Sequence, residues 1–149
     1  MWSLLLALSA AAEPVVRANA DGAVTGTMFI AAESAAIRAV VDGPVVRGEF
    51  SPDVYEVVAT PDGACRHLTT STRGVWRPLV VRSRWCPTAT GFVETLVSSD
   101  DFAAYRNDWV FTPAPGGTHV EVRVHAAPRV PVPQAMITEA TRQSVSALL

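Results

Sequence analysis

The sequence predicts an α+β domain in which a curved antiparallel β-sheet wraps around a long C-terminal helix, with short helices after the first strand. Three observations carry this reading. Segments of period-two alternation follow one another from Ala23 to His125, separated by turn residues. The last of them sets Val120, Val122 and Val124 against His119, Glu121, Arg123 and His125, which makes one face dry and the other wet. Pro128, Pro131 and Pro133 then end the sheet, since proline cannot donate to a ladder, and the pattern beyond them is helical. A lone helix after a run of strands has only the sheet to pack on. The two together tend to enclose an apolar cavity.

Residues 1–12 read as a secretory leader and 13–149 as a single domain. The leader has an apolar core from Leu4 to Leu8, and Ala10-Ala11-Ala12 supplies an A-x-A cleavage site before Glu13. It carries no Arg or Lys ahead of that core and is shorter than the usual ~15–30 residues. It is also too short to cross a bilayer, which takes about 20 apolar residues. The expected location is therefore exported, periplasmic or extracellular, with no transmembrane segment.

Glu13 to Ala20 is an extended lead-in. Ala23 to Ile30 is the first strand, with Val24, Gly26, Met28 and Ile30 alternating against Thr25, Thr27 and Phe29. Ser34 can cap a short helix through Val41 that sets Ile37, Val40 and Val41 on one face, and Asp42-Gly43-Pro44 ends it. Residues 45–53 are ambiguous between loop and a second helical turn. Val54 to Val58 is the second strand, and Pro61-Asp62-Gly63 is a turn. Strands follow at 64–73, 76–86, 91–99 and 103–112, and then the clear strand ending at His125. From Pro133, the residues Met136, Ile137, Ala140, Val145 and Leu148 form an apolar stripe. The stripe spans about four turns, roughly 25 Å.

Composition narrows the function classes. The chain has 149 residues with 49% hydrophobic and 17% charged, enough for one domain burying roughly 70% of its unfolded surface. A net charge of −2 gives no pull toward nucleic acid. Every basic residue is arginine and none is lysine. With the many Ala and Val residues, this reads as the codon bias of a GC-rich genome, and the expected source is bacterial.

Cys65 and Cys86 flank a hairpin whose arms hold Thr69 to Thr72 and Leu79 to Val81, with Gly74 in the turn. If Val75 and Trp76 form its tip, mirror-image counting sets the two cysteines directly opposite each other, within reach of a disulfide. Such a bridge needs an oxidising compartment. Two unlinked thiols are the alternative. They make no metal site, because two Cys without His at ligand spacing cannot complete a zinc shell.

The same counting sets Leu68, Thr70, Leu79, Val81, Ser83 and Trp85 on one face, taken as interior. Cys65, His67, Thr69, Arg82, Arg84 and Cys86 lie on the other, so both of these arginines point to solvent. Glu94 shares a face with Phe92 and Leu96, and Val93, Thr95 and Val97 share the opposite one. A shift of one residue in register decides which set is inside. An inward Glu94 could act as a general acid or hold a polar ligand head; an outward one is a surface carboxylate. Asn107, Trp109 and Phe111 share a face, with Tyr105 two residues upstream. The aromatic pair can pack and line a pocket at once, and Asn107 and Tyr105 are the candidate polar contacts. His119 and His125 belong to the wet face. No phosphate loop, nucleophile elbow or metalloprotease motif is present in the sequence, and no cofactor is called for.

Several signatures, taken in order, resemble the START-like (SRPBCC) superfamily, the helix-grip fold of polyketide cyclase/dehydrase and coenzyme Q-binding proteins. They are Phe29-Ile30-Ala-Ala-Glu-Ser-Ala-Ala-Ile37-Arg-Ala-Val-Val-Asp42, then Ser51-Pro52-Asp53-Val54, then Trp109-Val-Phe-Thr-Pro113 with Gly117-Thr118, and last Pro131-Val-Pro133. The resemblance implies a cavity between sheet and long helix that takes a hydrophobic molecule. It implies no catalytic triad.

Three functions stay open on the sequence. The first is binding or transport of a lipid, quinone or polyketide-like molecule, with Trp85, Glu94, Tyr105, Asn107, Trp109 and Phe111 lining the cavity and Met136 and Ile137 as its helical lid. The second is a cyclase or dehydratase with Glu94 or Tyr105 as acid/base, which needs an inward polar pair and gains if the register sets Glu94 inside, next to Asn107. The third is a partner-binding domain whose cavity is filled by its own side chains.

Overall fold

The computed structural model describes residues 15–43, 54–74 and 77–129. One eight-stranded sheet accounts for most of them: β1 (Val15–Ala18), β2 (Val24–Ile30), β3 (Val54–Asp62), β4 (Cys65–Thr72), β5 (Leu79–Pro87), β6 (Gly91–Ser98), β7 (Phe102–Ala114) and β8 (Gly117–Pro128). A single described helix, α1 (Ser34–Val41), lies between β2 and β3 in the chain, and the ambiguous segment 45–53 lies outside the described residues. The strand order is β1-β2-β8-β7-β6-β5-β4-β3, and every neighbouring pair is antiparallel. The antiparallel α+β class is thus present. The leader, the turn tip at Val75 and Trp76, and the terminal helix with Met136 and Ile137 lie outside the described residues.

The β4–β5 hairpin follows the mirror-image register, from Arg66 opposite Trp85 to Thr72 opposite Leu79. One step further out, Cys65 and Cys86 are joined by a disulfide with Cα atoms 4.3 Å apart. That separation matches a non-hydrogen-bonded cross-strand pair, where Cα atoms sit about 4.5 Å apart. Leu68, Val81, Ser83 and Trp85 are buried on one face, while Arg82 and Arg84 are exposed on the other. Arg84 pairs there with Asp62 at 3.0 Å.

The same face is buried on every strand through the middle of the sheet. Val24, Leu68, Trp85, Phe92, Trp109, Phe111, Val120, Val122 and Val124 pack into one core with Ile37 of α1. On β8, Glu121 and His119 are exposed, and His119 stacks edge-on against Phe29 with ring centroids 5.3 Å apart.

Four details depart from the sequence reading. The lead-in is a strand in its own right: β1 pairs with β2, Val15 opposite Thr27. Its alternation is invisible in the sequence because it is a short edge strand, with Val15 63% exposed. β3 runs through Pro61 and Asp62, and the turn is Gly63-Ala64. Proline fits because β3 is an edge strand that need not donate outward. Ser34 does not cap α1; the cap position is Glu33, with no side-chain hydrogen bond. The Ser34 hydroxyl lies instead 3.0 Å from Thr118 Oγ1, and Thr118 also donates to the Ala32 carbonyl at 2.8 Å. This tertiary contact outcompetes local capping and fastens α1 to β8. Val40 is exposed, so the packed face of α1 is Ile37 and Val41.

At Gly91 an added Cβ would run into the main-chain oxygen of Trp109, so β6 leaves its turn in close contact with β7. We expect Gly91→Ala to destabilise the fold by more than ~2 kcal/mol, since backbone rather than a flexible side chain must yield. Urea denaturation would measure this, and a change below ~0.5 kcal/mol would refute it. Paired Cys65→Ser and Cys86→Ser replacement opens a loop of sequence separation 21. In the chain-entropy description this costs about 3 kcal/mol. Equal stability of oxidised and reduced protein would contradict that account.

Candidate functional site

The dry face carries a chain of four polar side chains where alternation alone would place apolar ones. Ser83 on β5, Glu94 on β6 and Asn107 on β7 face inward, at 0%, 1% and 3% exposure. Register brings them together: Trp85 lies opposite Glu94, and Glu94 opposite Asn107. Ser83 Oγ donates to Glu94 Oε2 at 2.5 Å, and Asn107 Nδ2 donates to Glu94 Oε1 at 2.9 Å. Asn107 Nδ2 also donates to the Tyr105 hydroxyl at 3.0 Å. A buried carboxylate is tolerated only when hydrogen bonds replace its water. Here two strands supply those bonds from either side.

Apolar and aromatic residues flank the chain. Trp85 and Phe92 stack with centroids 4.8 Å apart, Phe92 meets Phe111 edge-on at 6.1 Å, and Trp109 lies 6.3 Å from Phe111. Among the described residues, two side-chain atoms in this region are buried with no hydrogen-bond partner: Asn107 Oδ1 and Trp109 Nε1.

The aromatic stack also floors a cleft of about 740 Å³ between α1, the β3–β4 turn and the β5–β6 turn. Its charged residues are Arg38, Asp42 and Arg66. Asp42 Oδ1 accepts from Trp85 Nε1 at 3.0 Å and is ion-paired with Arg66 Nη2. Arg38 places its guanidinium 4.7 Å from the Phe92 centroid and donates to the Thr88 carbonyl at 2.9 Å. The helix end is thus tied to the cleft floor by two arginines and one carboxylate.

Among the residues singled out from sequence, Glu94, Tyr105 and Asn107 meet in one hydrogen-bonded chain. Trp85 sits between that chain and the cleft, and Trp109 and Phe111 are buried beside it. Met136 and Ile137 lie outside the described residues. Sequence reasoning did not single out Ser83 as a ligand of Glu94, nor Arg66 and Asp42 as a pair. The signal for Arg66 was available: it shares parity with Leu68 on β4 and stands opposite Trp85. Among the described residues, no group of His, Cys, Asp and Glu could hold a metal ion. No described helix is long and apolar enough to cross a membrane.

No family model and no curated protein matches the sequence. Solved structures match the fold. A START superfamily protein from Mycobacterium smegmatis superposes with TM-score 0.72 at 18% identity, over 85% of this chain and 90% of that one. The Zhui aromatase/cyclase from Streptomyces gives 0.63 at 12% identity, over 89% and 84%. A STAR-related lipid transfer protein from Xanthomonas axonopodis gives 0.59 at 13% identity, over 89% and 92%. The chain has the START-like fold that its sequence signatures resemble.

Glu94 is the residue on which the polar chain depends. Glu94→Leu leaves Ser83 and Asn107 without their acceptor and is expected to cost on the order of 2–4 kcal/mol. Glu94→Gln keeps an acceptor for Asn107, and the Ser83 hydroxyl can turn to accept from the new amide, so the expected loss is about 1 kcal/mol. Chemical denaturation of both variants checks the order; equal losses would contradict it.

Proposed function

We propose that the protein binds an apolar small molecule bearing a polar group, held against the dry face of the sheet and admitted through the cleft beside α1. The observation that carries this is the polar chain Ser83–Glu94–Asn107–Tyr105, set among Trp85, Trp109 and Phe111. Pockets that orient an apolar ligand have this composition: mostly aromatic and aliphatic walls with a few placed polar groups. A purely structural core gains nothing from a buried carboxylate that apolar residues could replace. The fold's neighbours support the reading, since they include a lipid transfer protein and aromatase/cyclases. Affinity would come from ligand burial at about 25 cal/mol per Å², less the cost of association.

We further propose that the protein is exported. The Cys65–Cys86 disulfide supports this, because such bridges persist in oxidising compartments.

A second reading gains from the same geometry. Glu94 points inward beside Asn107, the arrangement that acid/base chemistry on a polyketide-like molecule requires. Held by Ser83 and Asn107, it would pass a proton to or from a bound ketone or alcohol.

Native mass spectrometry of protein secreted into a bacterial periplasm, followed by organic extraction, tests both. A co-purifying hydrophobe, lost in Trp109→Ala but retained in Arg84→Ala, is the expected result. Equal loss in the two variants would contradict the assignment of faces, and a protein that takes up nothing from a lipid and quinone panel would overturn the binding reading. A ligand recovered lighter by one water, and unchanged from Glu94→Gln, would favour the cyclase/dehydratase reading.

A further inference from the structure

Two buried polar atoms beside the polar chain lack hydrogen-bond partners among the described residues. Asn107 and Trp109 are 3% and 5% exposed, and among the described residues neither Asn107 Oδ1 nor Trp109 Nε1 has a hydrogen-bond partner. Leaving a buried donor or acceptor unmade is among the more expensive things a core can do, and native proteins keep such groups where they serve a purpose.

The identity of the free atom on Asn107 is fixed by chemistry. Glu94 Oε1 and the Tyr105 hydroxyl both receive Nδ2 hydrogens. Turning the amide over would point Oδ1 at a carboxylate oxygen, acceptor against acceptor. Both hydrogens of Nδ2 are therefore used, and Oδ1 is an acceptor with no donor. Trp109 Nε1 is a donor only.

The two residues lie two apart on the same face of β7, on the order of 7 Å along the strand. They stand directly across from Glu94 and Phe92 on β6. Phe92 belongs to the cleft wall, so the pair is one strand removed from the place where a molecule would enter.

We propose that Asn107 Oδ1 and Trp109 Nε1 form a subsite for a hydroxyl group, so that the ligand is a phenol or alcohol on an apolar frame. This rests on the binding reading above and sharpens it. A hydroxyl donates one hydrogen bond and accepts others, and thus offers both functions the subsite lacks. A hydrocarbon tail offers neither. A quinone or ketone carbonyl accepts from Trp109 but leaves Asn107 unmet. Among lipids, quinones and polyketide-like molecules, the pair selects the hydroxylated ones, and it distinguishes a quinol from its quinone.

Three probes of one shape separate the two contacts: naphthol, naphthyl methyl ether and naphthalene, titrated calorimetrically into the full-length protein. Naphthol should bind about tenfold more tightly than its methyl ether, which cannot donate to Asn107. In Trp109→Phe, naphthol and the ether should each weaken about tenfold, while naphthalene should bind as before. Arg84→Ala, on the opposite face, should change none of the three. Equal binding of naphthol and its ether in the wild-type protein would overturn the subsite. So would a Trp109→Phe variant that weakens naphthalene as much as naphthol, since the indole would then be an apolar wall alone. Failure of all three probes to bind would instead overturn the binding reading on which the subsite rests.

Discussion

Strand register governs everything else in this molecule. Side chains alternate with period two, so a slip of one residue would send the whole inward set of a strand to solvent. The β4–β5 hairpin fixes the phase, and the Cys65–Cys86 bridge fixes it covalently. With Arg66 opposite Trp85, the indole faces inward, and the pairing of Trp85 with Glu94 turns the carboxylate the same way. Glu94 opposite Asn107, and Asn107 opposite Val124, carry the phase through β6 and β7 into β8. The polar chain follows from this propagated parity. No single strand could choose it alone.

The phase commits the fold to an interior that is costly by ordinary standards. Burying Ser83, Glu94 and Asn107 removes each from water, and only their mutual hydrogen bonds offset that loss. The compensation is nearly complete around Glu94 and stops short at Asn107 Oδ1 and Trp109 Nε1. An apolar trio of similar volume would avoid the problem altogether. The sequence departs from the apolar solution at three inward positions on three neighbouring strands, and the proposed binding role is what would account for that local inconsistency.

How much of this was legible in the sequence depends on how local the deciding contact is. The hairpin could be read because two cysteines and two alternating arms share one centre of mirror-image counting. The dry face of β8 could be read because Val120, Val122 and Val124 alternate with charged and polar neighbours. Glu94 could not be placed: Phe92 and Leu96 make one face of β6 apolar, and Val93 and Val97 do the same for the other. A bulge between Arg82 and Ser83 also breaks counting from the far end of β5. Only pairing with β5 and β7 settles the matter, and that is a non-local fact. The Arg66–Asp42 pair, separated by a helix end and an entire strand, is invisible for the same reason. Ser34 shows the converse, a residue whose local preference for capping yields to a hydroxyl on β8.

These contacts also divide the molecule into parts of unequal stiffness. The sheet is held by a continuous hydrogen-bonded ladder and one covalent bridge, so the spacing of Ser83, Glu94 and Asn107 is set by the strand pairing. The floor and rim of the cleft are joined differently. Asp42 and Arg66 are both partly exposed where they pair at the rim, and an ion pair of that kind is worth about 1 kcal/mol or less. Arg38 over Phe92 adds a cation–π contact of similar size. Parting the end of α1 from the aromatic stack therefore costs far less than moving any strand. A molecule entering there would displace weak surface contacts and meet a polar chain whose geometry does not change, which is the condition for selecting a ligand by the position of its polar group.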